Sequence, residues 1–120
     1  MNEKNREAED KVLEAALSEP PEEKYYEYKL KKTVKYNDET YEKLYFDFDK
    51  LTGEDALNIE AELSALGKSA PIPALSGEYL VRVAAKSCTK PIGADFFKLI
   101  SIRDFNLIIG AARGFLLRTE

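Results

Sequence analysis

YEYKLKKTVKYNDETYEKLYFDF, residues 26–48, decides the fold class, because its apolar residues recur at every second position while those downstream recur at helical spacing. Tyr26, Tyr28, Leu30, Val34 and Tyr36 alternate with Glu27, Lys29, Lys31, Thr33 and Lys35, and the alternation resumes at Leu44, Phe46 and Phe48. The stretch predicts a β-hairpin over 26–48. Both apolar sets are even-numbered, so a shared face requires an odd loop, most simply the three residues Asn37 to Glu39 or a loop one residue later. A two-stranded ribbon is not stable alone and needs helices or a second subunit to lie on.

Downstream, helical spacing takes over. Thr52 is an N-cap with acids behind it, and Ala56, Ile59, Leu63 and Leu66 form a stripe that stops at Gly67, giving a helix near 53–66. Glu60 and Glu62 are expected to point to water. Pro71 and Pro73 are expected to hold Ala70 to Ala74 extended. Ser76 with Glu78 then opens a helix near 77–89, with Arg82 and Lys86 on its more polar side. A short helix near 94–99 carries Phe96, Phe97 and Leu99. Ser101 caps the last helix, near 102–117, which reads as the core helix that the rest is organised around. Its apolar stripe is Phe105, Ile108, Ile109, Ala112, Phe115 and Leu116. Gly110, Ala111 and Gly114 form a smooth strip that would let another backbone approach. Hairpin and helices together predict an α+β fold: an N-terminal β-hairpin followed by a compact bundle of three to four α-helices, in a single domain spanning 25–120.

Upstream, residues 1–24 read as an acidic leader. They hold eight acids and four bases, whereas residues 25–120 hold fourteen of each. Val12, Leu13, Ala16 and Leu17 make one short amphipathic face between Glu7 and Ser18, before Pro20-Pro21. Such a helix is marginal alone. It is either an appendage or a helix that docks on a neighbouring subunit or partner.

Composition narrows the chemistry. The chain of 120 residues has no histidine and one cysteine, so a Ser-His or Cys-His pair, an internal disulfide and the usual Cys/His zinc site are all excluded within one chain. Cys88 falls in an apolar helical pattern and is expected in the core. No phosphate-binding glycine loop is present, and Asp47-Phe48-Asp49 lacks the further oxygens and the glycine of a calcium loop. The charged N-terminus is unlike a signal, and no run of about 18 apolar residues would span a membrane. A non-enzymatic cytoplasmic protein without cofactor or metal is expected. The neutral body disfavours nucleic acid, leaving Lys29 to Lys35, or Arg103 to Arg113 in a helix-turn-helix over Ile92 to Leu117, as the alternative contact of a small regulatory protein. Tyr26, Tyr28, Tyr36, Tyr41 and Tyr45, with the strip at Gly110 and Gly114, are the candidate partner-binding residues, because tyrosine joins apolar area to a polar handle.

The order of features resembles the tail assembly chaperones of long-tailed bacteriophages and prophages. The resemblance covers roughly residues 28 to 117. It lies in the hairpin, in Phe46-Asp47-Phe48-Asp49-Lys50-Leu51-Thr52-Gly53-Glu54-Asp55, and in Pro71-Ile72-Pro73-Ala74-Leu75-Ser76 leading to Tyr79-Leu80. It continues through Ala84-Ala85-Lys86 and Ile102-Arg103-Asp104-Phe105 to Phe115-Leu116-Leu117; the acidic leader departs from the family pattern. The resemblance implies a chaperone that binds the tape-measure protein, keeps it soluble until tube subunits polymerise, and is absent from the mature virion. It implies the short product of a pair in which a longer frameshifted form contacts tail-tube protein. Self-association into rings or spirals is expected, and a virion structural component is the blander alternative.

Overall fold

A computed structural model describes residues 25–118 of the chain. The leader expected over residues 1–24 lies outside the described residues. Strand β1 (Tyr26–Tyr36) pairs antiparallel with β2 (Glu39–Phe46), and three α-helices follow: α1 (Gly53–Ala65), α2 (Gly77–Ser87) and α3 (Ile102–Leu117). The architecture is therefore α+β. Short 3-10 turns at Phe48–Lys50, Pro73–Leu75 and Ala94–Lys98 join the elements. The last of these takes the place of the helix expected near 94–99. Pro73–Leu75 likewise replaces part of the extended linker, because proline at its first position is already set for a helical turn.

The hairpin corrects the expected loop. Tyr36 pairs with Glu39, so the turn is the two residues Asn37 and Asp38, with φ of 51° and 64°. Both sit in the left-handed region that a tight hairpin turn of this type requires and that Asn and Asp tolerate. The odd offset lies elsewhere. Between the pairs Lys29↔Lys43 and Val34↔Tyr41, the four residues Leu30 to Thr33 stand opposite Glu42 alone. This bulge has an excess of three residues. It lets even-numbered Tyr28, Leu30 and Val34 share a buried face with odd-numbered Tyr41 near the turn and even-numbered Leu44 and Phe46 beyond it.

The helix ends follow local chemistry. Thr52 and Asp55 form a reciprocal capping box, and Ser76 and Ser101 accept from the backbone N–H of Tyr79 and Asp104. Helix α1 stops at Gly67, whose φ of 74° allows Lys68 N–H to reach back to Leu63 O at 2.7 Å and Gly67 N–H to Ser64 O at 3.0 Å.

The central helix is α2, not the last one. Seven of its eleven residues are buried, against four of sixteen in α3. Its C-terminus is sewn to β2, with Asp47 N–H donating to Ser87 O at 2.7 Å and Thr89 N–H to Tyr45 O at 2.9 Å. Phe46, Leu44, Ile59, Leu63, Phe96 and Ile108 share the fully buried core with its own Leu80. Leu116, expected in the core stripe, is exposed. Arg82, expected on the polar side, is buried and held between two helices: its Nε donates to Glu62 at 2.9 Å, and one Nη donates to Glu78 at 2.7 Å. Burial works against its charge, but the two carboxylates prevail and keep its pKa above the usual arginine value. Glu62 thus locks α1 to α2 instead of serving solvation alone.

Candidate partner-binding surface

The hairpin tyrosines divide between inside and outside. Tyr28 and Tyr41 are buried in the chain's own core, while Tyr26, Tyr36 and Tyr45 are half-buried. Tyr36 and Tyr41 meet Phe96 edge to face, with ring centroids 5.2 and 5.3 Å away, which fixes the turn end of the hairpin to the 3-10 turn at Ala94–Lys98. The Tyr36 hydroxyl donates to Asp95 at 2.9 Å and accepts from Gly93 N–H at 3.3 Å. At the other end Tyr26 lies 6.2 Å from Phe48, which stacks on Phe115 at 5.2 Å. Tyr45 opposes Glu27 on the outer face, beside the ion pair of Lys43 and Glu27 at 3.2 Å. Little accessible aromatic area remains on the ribbon for a partner.

The bulge has a use that the residue pattern did not reveal. It withdraws the N–H groups of Lys31 and Lys32 from the ladder and points them at the carboxylate of Asp104, at 3.0 to 3.1 Å and 3.3 Å. Tyr28 adds its hydroxyl at 2.5 Å. Asp104, fully buried in the first turn of α3, therefore accepts three donors from β1 at a helix terminus that favours negative charge. Burial alone would raise its pKa. The donated hydrogen bonds outweigh burial, and the pKa lies below the ordinary aspartate value. Tyr28 is pushed up to about 12, first by burial and then by the bond to Asp104. Lys29, Lys31, Lys32 and Lys35 keep their side chains exposed, so the basic cluster is a solvated face whose backbone has a structural job.

The outer side of α3 is the candidate surface. Arg103, Leu107, Gly110, Gly114 and Leu117 are all exposed, and they follow one another at steps of four, three, four and three residues. That is the spacing of a coiled-coil seam, turned toward solvent. Leu107 and Leu117 are 46% and 60% exposed, values far from the burial normal for leucine. A Cβ at Gly110 or Gly114 would meet nothing within 4 Å, so the two glycines leave an open, flat stretch between Leu107 and Leu117 along the same stripe. The strip predicted from Gly110 and Gly114 is thus an accessible surface. Arg113 is not free beside it, because its Nε donates to the Ala74 carbonyl at 2.9 Å.

Other places hold less. An open cleft of about 660 Å³ runs past Val81, Phe97 and Phe105, and two of its three lining cations, Lys68 and Arg82, are held by Glu78, the third being Lys98. Asp47 Oδ1 is buried with no hydrogen-bond partner. Among the described residues no group of three His, Cys, Asp or Glu side chains could hold a metal ion, and no helix is long and apolar enough to cross a membrane. Cys88 is buried, and burial raises its thiol pKa, so the reactive thiolate is scarce. Its labelling by a disulfide reagent at neutral pH is expected to be at least about a hundred-fold slower than in denaturant, following the opening of the α2 end. Labelling at the denatured rate would show that this end is open.

In comparisons with family models, curated proteins and solved structures, this chain finds no match.

Proposed function

We propose that the chain is a non-enzymatic tail assembly chaperone of the phage or prophage type, which holds the tape-measure protein in solution before the tail tube forms. The observation that carries this reading is the exposed seam of α3. An exposed stripe with two glycines between two leucines at heptad spacing accepts another helix side by side, and a tape measure is a long helical protein with apolar stripes to shield. The order of hairpin, capped helices and proline linker supports the same reading. Repeated copies bound along one client would cover it in rings or spirals, and a longer frameshifted product would connect it to tail-tube protein. The place of action is the bacterial host cytoplasm, and the finished virion lacks the chain.

Co-expression with the tape-measure protein encoded nearby tests this. The expected result is that the client stays soluble and co-purifies with the chain as salt is raised, because an apolar contact does not weaken with salt as phosphate contacts do. Leu107→Asp with Leu117→Asp is expected to lower the soluble client about ten-fold or more with an unchanged circular dichroism spectrum, since both side chains are exposed. A client that never becomes soluble with the unmodified chain would overturn the chaperone reading. Full solubility with the double variant would overturn the seam.

A further inference from the structure

Arg82 is buried, yet the fold uses only part of its guanidinium. Nε donates to Glu62 at 2.9 Å, and Nη1 donates to the Glu78 carboxylate at 2.7 Å and to the Glu78 carbonyl at 2.9 Å. The other nitrogen, Nη2, donates to no group among the described residues. Among those residues Asp47 Oδ1 is the one sealed side-chain atom without a partner, so Nη2 reaches solvent through the 10% of the Arg82 side chain that stays exposed. The open space that Arg82 lines is the cleft of about 660 Å³ beside α2. We infer that this cleft docks a peptide segment of a partner protein, which seats one aliphatic side chain against Val81, Phe97 and Phe105 and offers a main-chain carbonyl to Arg82 Nη2.

Size and lining set the apolar part. Sites that enclose ligands run from about 300 to 1,000 Å³, with an apolar lining and a few polar groups that orient what is bound. Here the lining comes from α2, the 3-10 turn at Ala94–Lys98 and α3, and α2 packs against both of the others. Val81 and Phe97 are buried, while Ala94 and Phe105 are half-buried. The apolar area left open is therefore that for one aliphatic side chain and not for a large ring system.

Charge sets the polar part. Arg82 already faces the carboxylates of Glu62 and Glu78, and its hydrogen bond is the first cause that holds the Glu78 carboxyl below its usual range. A third carboxylate at Nη2 would be repelled by these two. A carbonyl oxygen completes the fork without adding charge, and the peptide backbone supplies one at every residue. Lys68 is bound to Glu78, but Lys98 is exposed and has no ion pair among the described residues. An acid next to the seated side chain would meet Lys98, a modest contribution at an exposed site. None of Leu107, Gly110, Gly114 and Leu117 lines the cleft, so the site is separate from the α3 seam and does not rest on the chaperone reading.

The test is an NMR titration of the full, isotope-labelled chain with two capped peptides, acetyl-Ala-Ala-Leu-Glu-Ala-Ala-amide and the same sequence with serine in place of leucine. Saturable shifts are expected at the Val81, Phe97 and Lys98 amides and at the Arg82 guanidinium, with the leucine peptide bound about ten-fold tighter or more. Gly77 lines the cleft and a Cβ there would meet nothing within 4 Å, so Gly77→Leu fills the space without disturbing the fold. That variant is expected to lose about ten-fold or more in affinity with an unchanged circular dichroism spectrum. Equal affinity for the two peptides, or full affinity in Gly77→Leu, would overturn the inference. An Arg82 guanidinium signal that stays in place at saturation would overturn the carbonyl contact. Acetyl-leucine-amide binding as tightly as the peptide would assign the cleft to a small molecule, and shifts at the same amides on concentrating the chain alone would assign it to a second copy; either result would overturn the peptide occupant. No tape measure enters the titration, so its outcome and that of the co-expression are read separately.

Discussion

Asp104→Ala is expected to destabilise the fold by about 3–5 kcal/mol, read from the denaturant midpoint at constant slope. The carboxylate is fully buried and is the acceptor for Tyr28 Oη and for the Lys31 and Lys32 amides. Alanine would leave these donors without an acceptor, and each stranded buried donor costs about 1–3 kcal/mol. Asp104→Asn, which retains one oxygen but turns an NH₂ toward other donors, should lose less than alanine does. Tyr28→Phe removes one donor together with its hydrogen bond, and about 1–2 kcal/mol is expected. A loss below about 1 kcal/mol for Asp104→Ala would mean that the bulge stands without its anchor.

The same cluster contributes to the response to pH at both ends, beside Glu39 and Glu78 on the acid side and Tyr26, Tyr41 and Tyr79 on the alkaline side. The folded pKa of Asp104 is below the unfolded value, so its contribution is fully present above the unfolded pKa and is lost as pH falls through the folded one. Tyr28 works in the opposite sense. Its folded pKa of about 12 is above the ordinary tyrosine value of 10.0, so its contribution is complete below pH 10 and is lost as pH rises toward 12. Tyr28→Phe should flatten the alkaline limb and leave much of the acid limb, which pH-dependent denaturation would resolve.

Phe96→Ala is expected to cost about 3–5 kcal/mol, the range for truncating a large buried aromatic. Phe96 is fully buried, and its ring meets Tyr36, Tyr41 and Phe97 edge to face. It lies in a 3-10 turn, which has little stability of its own, so the turn and the hairpin end that it fixes should loosen together. Hydrogen exchange is expected to quicken in β1 and β2 near Asn37 more than in α1. A uniform change across the chain would argue that Phe96 supports the whole core and not this corner.

What was legible in the residues was mainly local. The caps at Thr52, Ser76 and Ser101 and the stop at Gly67 depend on neighbours within a few positions, and all four are where the spacing puts them. The parity of the hairpin was legible too, but not the place where the odd offset is absorbed, because the acceptor for the bulge lies 73 residues away from Lys31. Arg82 looked polar because Glu62, the partner that buries it, sits on another helix. Alternation placed Tyr28 on one face with Leu44 and Phe46 but did not place odd-numbered Tyr41 there, and nothing local revealed that α3 and the 3-10 turn at Ala94–Lys98 pack against that face. Gly110 and Gly114 were visible as a strip, while the heptad frame that makes them a seam required knowing which side of α3 the core takes. The greater apolar content of the last helix also misled, since α2 is the one surrounded on all sides.

The bulge makes the hairpin sensitive to chain length in a stepwise way. Removing one residue between Leu30 and Thr33 reduces an excess of three to an even two, which turns either Tyr28 or Val34 outward and sets the two halves of the ribbon against each other. Removing two leaves an ordinary single-residue bulge with every face preserved, but takes away the wide bulge that presents the Lys31 and Lys32 amides to Asp104. The single deletion should therefore scramble the faces, and the double deletion should cost the Asp104 anchor instead. Insertions in this segment should accordingly be tolerated in twos, a phase rule that purifying chains with one and with two added residues and comparing their melting temperatures would expose.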